Sequence, residues 1–85
     1  MGDPTGIALA DALKKNGTLT DLRLSSNQFG DATAQAFADA LQQNSAIAFL
    51  DLEDNKLSEE SEDKLKAAWG DREGNIYLGI RLRYH

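Results

Sequence analysis

The sequence predicts an α/β fold, a solenoid in which a parallel β-sheet is backed by a layer of helices. Residues 1–28 align without a gap with residues 29–56 and are identical at twelve positions. The first half of each unit has apolar residues at three- and four-residue spacing, which is typical of a helix, and the second half alternates, which is typical of a strand. One helix and one strand cannot bury both apolar faces alone, so neighbouring units must cover them.

Each helix has start and stop signals at equivalent places. The apolar stripe of the second unit consists of Ala34, Phe37, Ala38 and Leu41. Short polar side chains favour the N-cap position, and the predicted N-caps are Asp3, Asp31 and Ser58. Gly17 and Gly70 follow the helical segments and predict their ends.

The strands are predicted from the alternation in "LTDLRLSS" and its later counterparts. A constant step of 28 residues places Leu22, Leu50 and Leu78 side by side on neighbouring strands. The two edge strands are expected at about residues 20–25 and 76–82. Exposed edges pair readily with other chains, so a homo-oligomer formed through the edge strands is one expected assembly.

An asparagine follows each of the first two strands, at Asn27 and Asn55. At this point the chain turns inward, and its backbone groups lose their partners in the sheet. A buried amide both donates and accepts hydrogen bonds, so these side chains predict a structural asparagine ladder between units.

The third unit, residues 57–84, keeps the apolar spacing but matches the second unit at only two positions. Arg83 stands where the ladder asparagine is expected, and Trp69 replaces a leucine. Terminal repeats are often atypical because they cap a stack, so this unit is predicted to be a capping repeat. The whole chain, residues 1–85, is then one domain.

The spacing L-x-x-L-x-L-x-x-N-x-L occurs twice and resembles the leucine-rich repeat signature. The matching residues are Leu19, Leu22, Leu24, Asn27 and Phe29, then Ile47, Leu50, Leu52, Asn55 and Leu57. The helical segments "ALADALKKN" and "AFADALQQN" are similar to those of the ribonuclease-inhibitor-like subfamily. The resemblance implies a curved solenoid with the sheet on its concave side and the helices on its convex side. It also implies a cytoplasmic scaffold that binds protein and is not an enzyme.

The outward side chains of the strands are the candidate binding residues on this concave face. With a constant 28-residue step, they form the columns Asp21–Phe49–Tyr77, Arg23–Asp51–Gly79 and Ser25–Glu53–Arg81. The expected contacts are Phe49 with Tyr77, Arg23 with Asp51 and Glu53 with Arg81. Aromatic residues and arginine are enriched at binding hot spots. The alternative is that these are ordinary cross-strand pairs, which stabilise the sheet.

Net charge, cysteine content and the N-terminal sequence further limit the expected kinds of partner and the expected compartment. The net charge of −5 makes nucleic acid and anionic membranes poor partners. The chain has no cysteine, and its N-terminus has no signal-peptide pattern, which favours the cytoplasm. The acidic stretch 51–63 is interpreted as a helix start, with a docking patch for a basic partner as the alternative. It lacks the spacing of a calcium loop, so no metal is predicted. The single histidine, His85, is the last residue and "GDREG" lacks the pattern of a phosphate loop, so no catalytic residue or cofactor is predicted.

The leading hypothesis is therefore a non-catalytic protein-interaction module. One alternative is a regulatory element of a small GTPase, suggested by the subfamily alone. The other is a purely structural solenoid fragment, natural or engineered, which continues a longer array or self-associates.

Overall fold

Helices and strands alternate along residues 2–79, the part of the chain that the computed structural model describes. The elements of this part are α1 (Asp3–Lys15), β1 (Asp21–Arg23), α2 (Asp31–Gln43), β2 (Phe49–Asp51), α3 (Glu59–Trp69) and β3 (Asn75–Tyr77). The strands form one sheet in the order β1-β2-β3, and both pairs are parallel. The prediction of an α/β fold with a parallel sheet is confirmed.

The first two strands pair in the predicted register. Leu22 lies beside Leu50, and Arg23 lies beside Asp51. This is the 28-residue step of the sequence repeat, so residues that are equivalent in the first two units are also neighbours in the sheet.

The third strand is displaced by two residues from the predicted register. Leu50 lies beside Ile76, and Asp51 lies beside Tyr77. The prediction that Leu78 aligns with Leu22 and Leu50 is therefore wrong, and the step into the third strand is 26 residues.

A shorter helix accounts for this displacement. α2 has 13 residues and α3 has 11, while the connections 44–48 and 70–74 have equal lengths. α3 ends at Gly70, where φ is 60°, a left-handed conformation that glycine adopts easily. The strand that follows is therefore reached two residues early.

One apolar core joins the sheet to the helices. Phe37 and Leu41 of α2, Leu50 of β2 and Leu65 of α3 are all buried in it. Trp69, the last residue of α3, is 7% exposed and belongs to the same core. Truncating Leu50 to alanine would leave a cavity and cost about 2–5 kcal/mol of stability.

The first turns of α2 and α3 are each hydrogen-bonded to an aspartate of the preceding helix. The prediction that Asp3 and Asp31 cap their own helices is wrong, because Gly2 and Gly30 occupy the N-cap positions. Instead, Asp3 Oδ1 accepts hydrogen bonds from the Gly30 N–H at 2.7 Å and the Thr33 hydroxyl at 2.6 Å. The carboxylate of one helix therefore caps the next.

The same contact recurs one unit later. Asp31 Oδ1 accepts from the Ser58 N–H at 2.9 Å and from the Ser61 hydroxyl at 2.7 Å. Ser58 also caps its own helix as predicted, since its hydroxyl accepts from the Ser61 N–H. The hydroxyl of Thr33 lowers the pKa of Asp3 most, and the backbone N–H of Ser58 lowers the pKa of Asp31 most.

Asn55 forms the predicted ladder contact between units. Its amide nitrogen donates to the Leu24 carbonyl at 2.9 Å and to the Leu52 carbonyl at 3.0 Å. Its oxygen accepts from the Phe29 N–H at 3.1 Å. Among the described residues, Asn27 bonds only to carbonyls of its own turn, those of Leu24 and Ser25.

A second set of contacts between units lies at the C-terminal ends of the helices. The Asn44 amide nitrogen donates to the carbonyls of Leu13 and Asn16 at 2.8 and 2.6 Å. In the third unit, Arg72 Nη2 donates to the Leu41 carbonyl at 2.7 Å. Leu41 is the repeat equivalent of Leu13, so an arginine does there what an asparagine does one unit earlier.

The carboxylates of Asp3 and Asp31, which link neighbouring helices, predict that the fold loses stability in acid. Because the pKa values of Asp3 and Asp31 lie below their usual 3.8 in the folded state, their stabilisation is complete above that pH. It is lost as the pH falls through the lowered values. Urea unfolding between pH 7 and pH 2 should therefore show a smaller acid-dependent loss for the D3N/D31N double variant than for the wild type. D63N, on the exposed side of α3, is the control, and an unaltered pH profile in D3N/D31N would contradict the expectation.

The asparagine ladder predicts unequal costs at equivalent positions. Asn55→Leu should lower the free energy of unfolding by about 1–3 kcal/mol, because it leaves buried backbone groups of two units without partners. Asn27→Leu should cost less, because the Leu24 carbonyl keeps its bond from Asn55. Equilibrium urea denaturation measures both, and equal losses would contradict the assignment of Asn55 as the contact between units.

Candidate functional site

The side chains on the strand face turned away from the core form the candidate site, here called the outer sheet face. Its strand residues are Asp21, Arg23, Phe49, Asp51, Asn75 and Tyr77. The residues between them, Leu22, Leu50 and Ile76, lie against the core.

Phe49 and Tyr77 are in contact, as predicted, although they are not direct neighbours in the sheet. Their ring centroids are 5.3 Å apart, and the ring planes are inclined by 55°. Asn75 occupies the position beside Phe49, so the two rings meet along a diagonal. Large aromatic side chains reach such diagonal neighbours. The predicted register of the column Asp21–Phe49–Tyr77 is wrong at the third strand, but the predicted contact between Phe49 and Tyr77 is present.

Arg23 continues the row on the first strand. Its guanidinium carbon lies 4.9 Å from the centroid of the Phe49 ring, a cation–π distance. Its nitrogens bond to both carboxylate oxygens of Asp21, at 3.1 and 3.2 Å. The predicted partner was Asp51, but Arg23 forms its ion pair with Asp21 instead. Hydrogen bonding to Asp21 raises the pKa of Arg23 most, and the charge of Asp51 adds to it.

Asp51 is the most enclosed residue of this face. It is 7% exposed, and its Oδ1 accepts from the Glu53 N–H at 3.0 Å. Ser25 and Glu53, also predicted to bind, are half-buried in the turns after their strands. The predicted contact of Glu53 with Arg81 lies outside the described residues, because Arg81 does.

Asn75 is the residue of this face that the repeat alignment did not assign to it. The two-residue displacement brings it beside Phe49, where Tyr77 was expected. The signal available in the sequence was Gly70, directly after Trp69, which ends α3 early. The same displacement sets Tyr77 beside Asp51.

Only the second half of the acidic stretch 51–63 lies at a helix start, because Asp51, Glu53 and Asp54 lie in β2 and the turn after it. Glu59, Glu60 and Glu62 fall in the first turn of α3, where the helix dipole favours negative charge. Lys64 pairs with Glu60 at 3.8 Å. Residues 2–79 contain no group of three or more side chains arranged to hold a metal ion.

A separate open cleft of about 270 Å³ lies between the C-terminal ends of α1 and α2. It is lined by Lys14, Lys15, Asn16, Gly17, Gln43, Asn44, Ser45 and Ala46. Its position at the helix ends separates it from the outer sheet face.

Comparison of the sequence with protein-family models gives no match, and comparison with curated proteins gives no significant match. In the part of the chain that is described, every helix falls short of the length and apolarity required to cross a bilayer.

The aromatic contact can be tested by a double-mutant cycle. Phe49→Ala and Tyr77→Ala should be coupled by about 0.5–1.5 kcal/mol in the free energy of unfolding, because each removes the other's ring partner. A cycle between Tyr77 and Ile7, which lies on a different layer, should be additive. Additive losses for Phe49 and Tyr77 would show that the rings do not interact in solution.

Proposed function

We propose that this chain is a leucine-rich repeat module of the ribonuclease-inhibitor-like kind, which binds a protein partner through its outer sheet face and has no catalytic role. The 28-residue step between β1 and β2 supports the repeat assignment. The bonds of Asn55 to two adjacent units support it as well. On this proposal the stacked units form a solenoid, and the outer sheet face is its concave surface.

The observation that carries the binding role is the row Arg23–Phe49–Tyr77. It crosses all three described strands, with spacings of 4.9 and 5.3 Å between its members. Tyr77 remains 40% exposed. Arginine and tyrosine are among the residues that most often dominate binding energy. Asp21 holds the arginine in place, so less side-chain entropy is lost when a partner binds.

The size of the face limits its affinity. Neighbouring strands are separated by about 4.8 Å, so three strands give a face roughly 10 Å wide. Stable complexes bury about 800 Å² on each partner, which exceeds what so narrow a strip offers. We therefore expect micromolar rather than nanomolar binding to this chain alone.

Site-specific cross-linking tests this role directly. A photoreactive phenylalanine analogue is introduced at Tyr77 in one sample and at Ile7 in the other. Both samples are irradiated in the same cell lysate. These two positions are matched in exposure, at 40% and 38%, but Tyr77 lies in β3 and Ile7 lies in α1. A distinct cross-linked protein from position 77 and none from position 7 is the expected result. Identical products from both positions, or none from position 77, would contradict the proposal.

The captured protein then allows a quantitative test. Phe49→Ala should weaken its binding about 30-fold, which corresponds to a hot-spot loss of roughly 2 kcal/mol. Calorimetric titration measures the change, and Ile7→Ala should leave the affinity unaltered. Circular dichroism checks that Phe49→Ala is folded, so that a loss of binding can be assigned to the outer sheet face.

A further inference from the structure

The connection between α1 and β1 begins with Asn16 and Gly17. When glycine follows asparagine, the backbone nitrogen of the glycine can reach the side-chain amide carbon, because glycine has no Cβ to obstruct the approach. The second unit has Asn44 and Ser45 at the equivalent places. The first two units therefore differ at the residue that decides whether this reaction is sterically easy.

The side-chain oxygen of Asn16 is surrounded by donors. Among residues 2–79, its Oδ1 accepts from the Thr18 N–H at 2.8 Å, the Leu19 N–H at 2.9 Å and the Thr18 hydroxyl at 3.0 Å. Attack on Cγ places negative charge on Oδ1, and donors at these distances stabilise such a charge. For Asn44, the corresponding donors among the same residues are the N–H groups of Ala46 and Ile47.

The surroundings of Gly17 leave room for the reaction. Apart from its sequence neighbours, no atom of the described residues lies within 4 Å of the place that a Cβ on Gly17 would take. Asn16 and Gly17 are both exposed. Asn44, by contrast, is 6% exposed, and its amide nitrogen donates to the carbonyls of Leu13 and Asn16. That nitrogen is the group which the reaction releases, so these bonds hold Asn44 in its unreacted form.

We propose that Asn16 is a site of spontaneous modification, where the chain converts its own asparagine into aspartate and isoaspartate. The Gly17 nitrogen gives up its proton to solvent hydroxide and forms a bond to Cγ of Asn16. The bond from Cγ to the side-chain nitrogen breaks, this nitrogen takes a proton from water and leaves as ammonia, and a succinimide ring remains. The inference rests on the connection 16–20 and does not depend on the outer sheet face or on a partner.

Water then opens the ring in one of two ways. Addition of water at Cγ breaks its new bond to nitrogen and gives aspartate, in which the main chain is unchanged. Addition at the main-chain carbonyl carbon gives isoaspartate, in which the main chain continues through Cγ and is longer by a carbon atom. Water is the co-reactant and ammonia the leaving group, and nothing is oxidised or reduced.

The two products affect the contact between the first and second units differently. The main-chain carbonyl of Asn16 accepts from the Asn44 amide at 2.6 Å, and its Oδ1 fixes the chain that enters β1. In isoaspartate the former main-chain carbonyl becomes a side-chain carboxylate and Cγ joins the main chain, so both sets of bonds are displaced. In aspartate they are kept, and the added charge directly follows Lys14 and Lys15. Isoaspartate should therefore loosen β1, while aspartate should leave it in place.

Incubation of the purified chain at mildly alkaline pH tests the proposal, with proteolysis and mass spectrometry to locate the products. Asn16 should convert to two chromatographically separable forms, while Asn44 stays intact. Gly17→Ser copies the second unit, and serine fits because Gly17 has open surroundings and no positive φ. This variant should slow the conversion at least about tenfold, or roughly 1.4 kcal/mol in activation free energy. An unmodified Asn16 in the wild type, or an unaltered rate in Gly17→Ser, would overturn the proposal.

A second variant separates the effect of the fold from that of the sequence. Ser45→Gly places a glycine after Asn44 but keeps the bonds of the Asn44 amide nitrogen to Leu13 and Asn16. In the folded variant Asn16 should convert and Asn44 should not, whereas in concentrated urea both should convert. Conversion of Asn44 at the rate of Asn16 in the folded variant would show that the hydrogen bonds do not select the site.

Unfolding of the separated products tests the structural consequence. The isoaspartate form should have a lower urea midpoint than the wild type. Hydrogen exchange should also be faster in it at the Leu24 amide, which donates to the Asp51 carbonyl at 2.8 Å. Asn16→Asp supplies the other product directly and should match the wild type in both measurements. An isoaspartate form as stable as Asn16→Asp would overturn the proposed effect on β1.

Discussion

Each unit of this protein is completed by groups that belong to its neighbour. The first turns of α2 and α3 receive a carboxylate from the helix before them, through Asp3 and Asp31. The last turns of α1 and α2 receive donors from the unit that follows, through Asn44 and Arg72. Helix ends hold the backbone groups that a helix cannot satisfy by itself. Order in one unit therefore depends on order in the next, and the second unit, covered on both sides, is the most completely buried.

The displaced third strand leaves the outer sheet face intact because it slips by two residues. Side chains alternate between faces with a period of two, so a slip of one would have turned Tyr77 toward the core and Ile76 outward. A slip of two keeps Tyr77 on the outer sheet face and only changes its neighbours. The ring then meets Phe49 along a diagonal, and the row that begins at Arg23 continues across the sheet.

Sequence periodicity predicted what depends on repetition: the helix–strand order, the parallel sheet, the pairing of Leu22 with Leu50 and the ladder contact of Asn55. It failed where one residue changes a length or a direction. Gly70 ends α3 early, and an alignment with a constant 28-residue step assumes that the helices have equal lengths. Asp3 and Asp31 look like N-caps because they precede apolar stripes, but their side chains point to the next helix. That choice depends on the distance between helices, which the sequence does not encode locally.

Neighbouring residues of β1 lie on opposite faces of the sheet. Arg23 belongs to the outer sheet face, and Leu22 packs against the core. Arg23 is held by Asp21 of the same strand, so its place in the row depends on how well β1 is fixed. β1 pairs on one edge only within the described sheet, and Leu22 is only half-buried. The position of Arg23 therefore depends on the pairing of β1 with β2 and on the ion pair with Asp21, and both act through a strand of three residues.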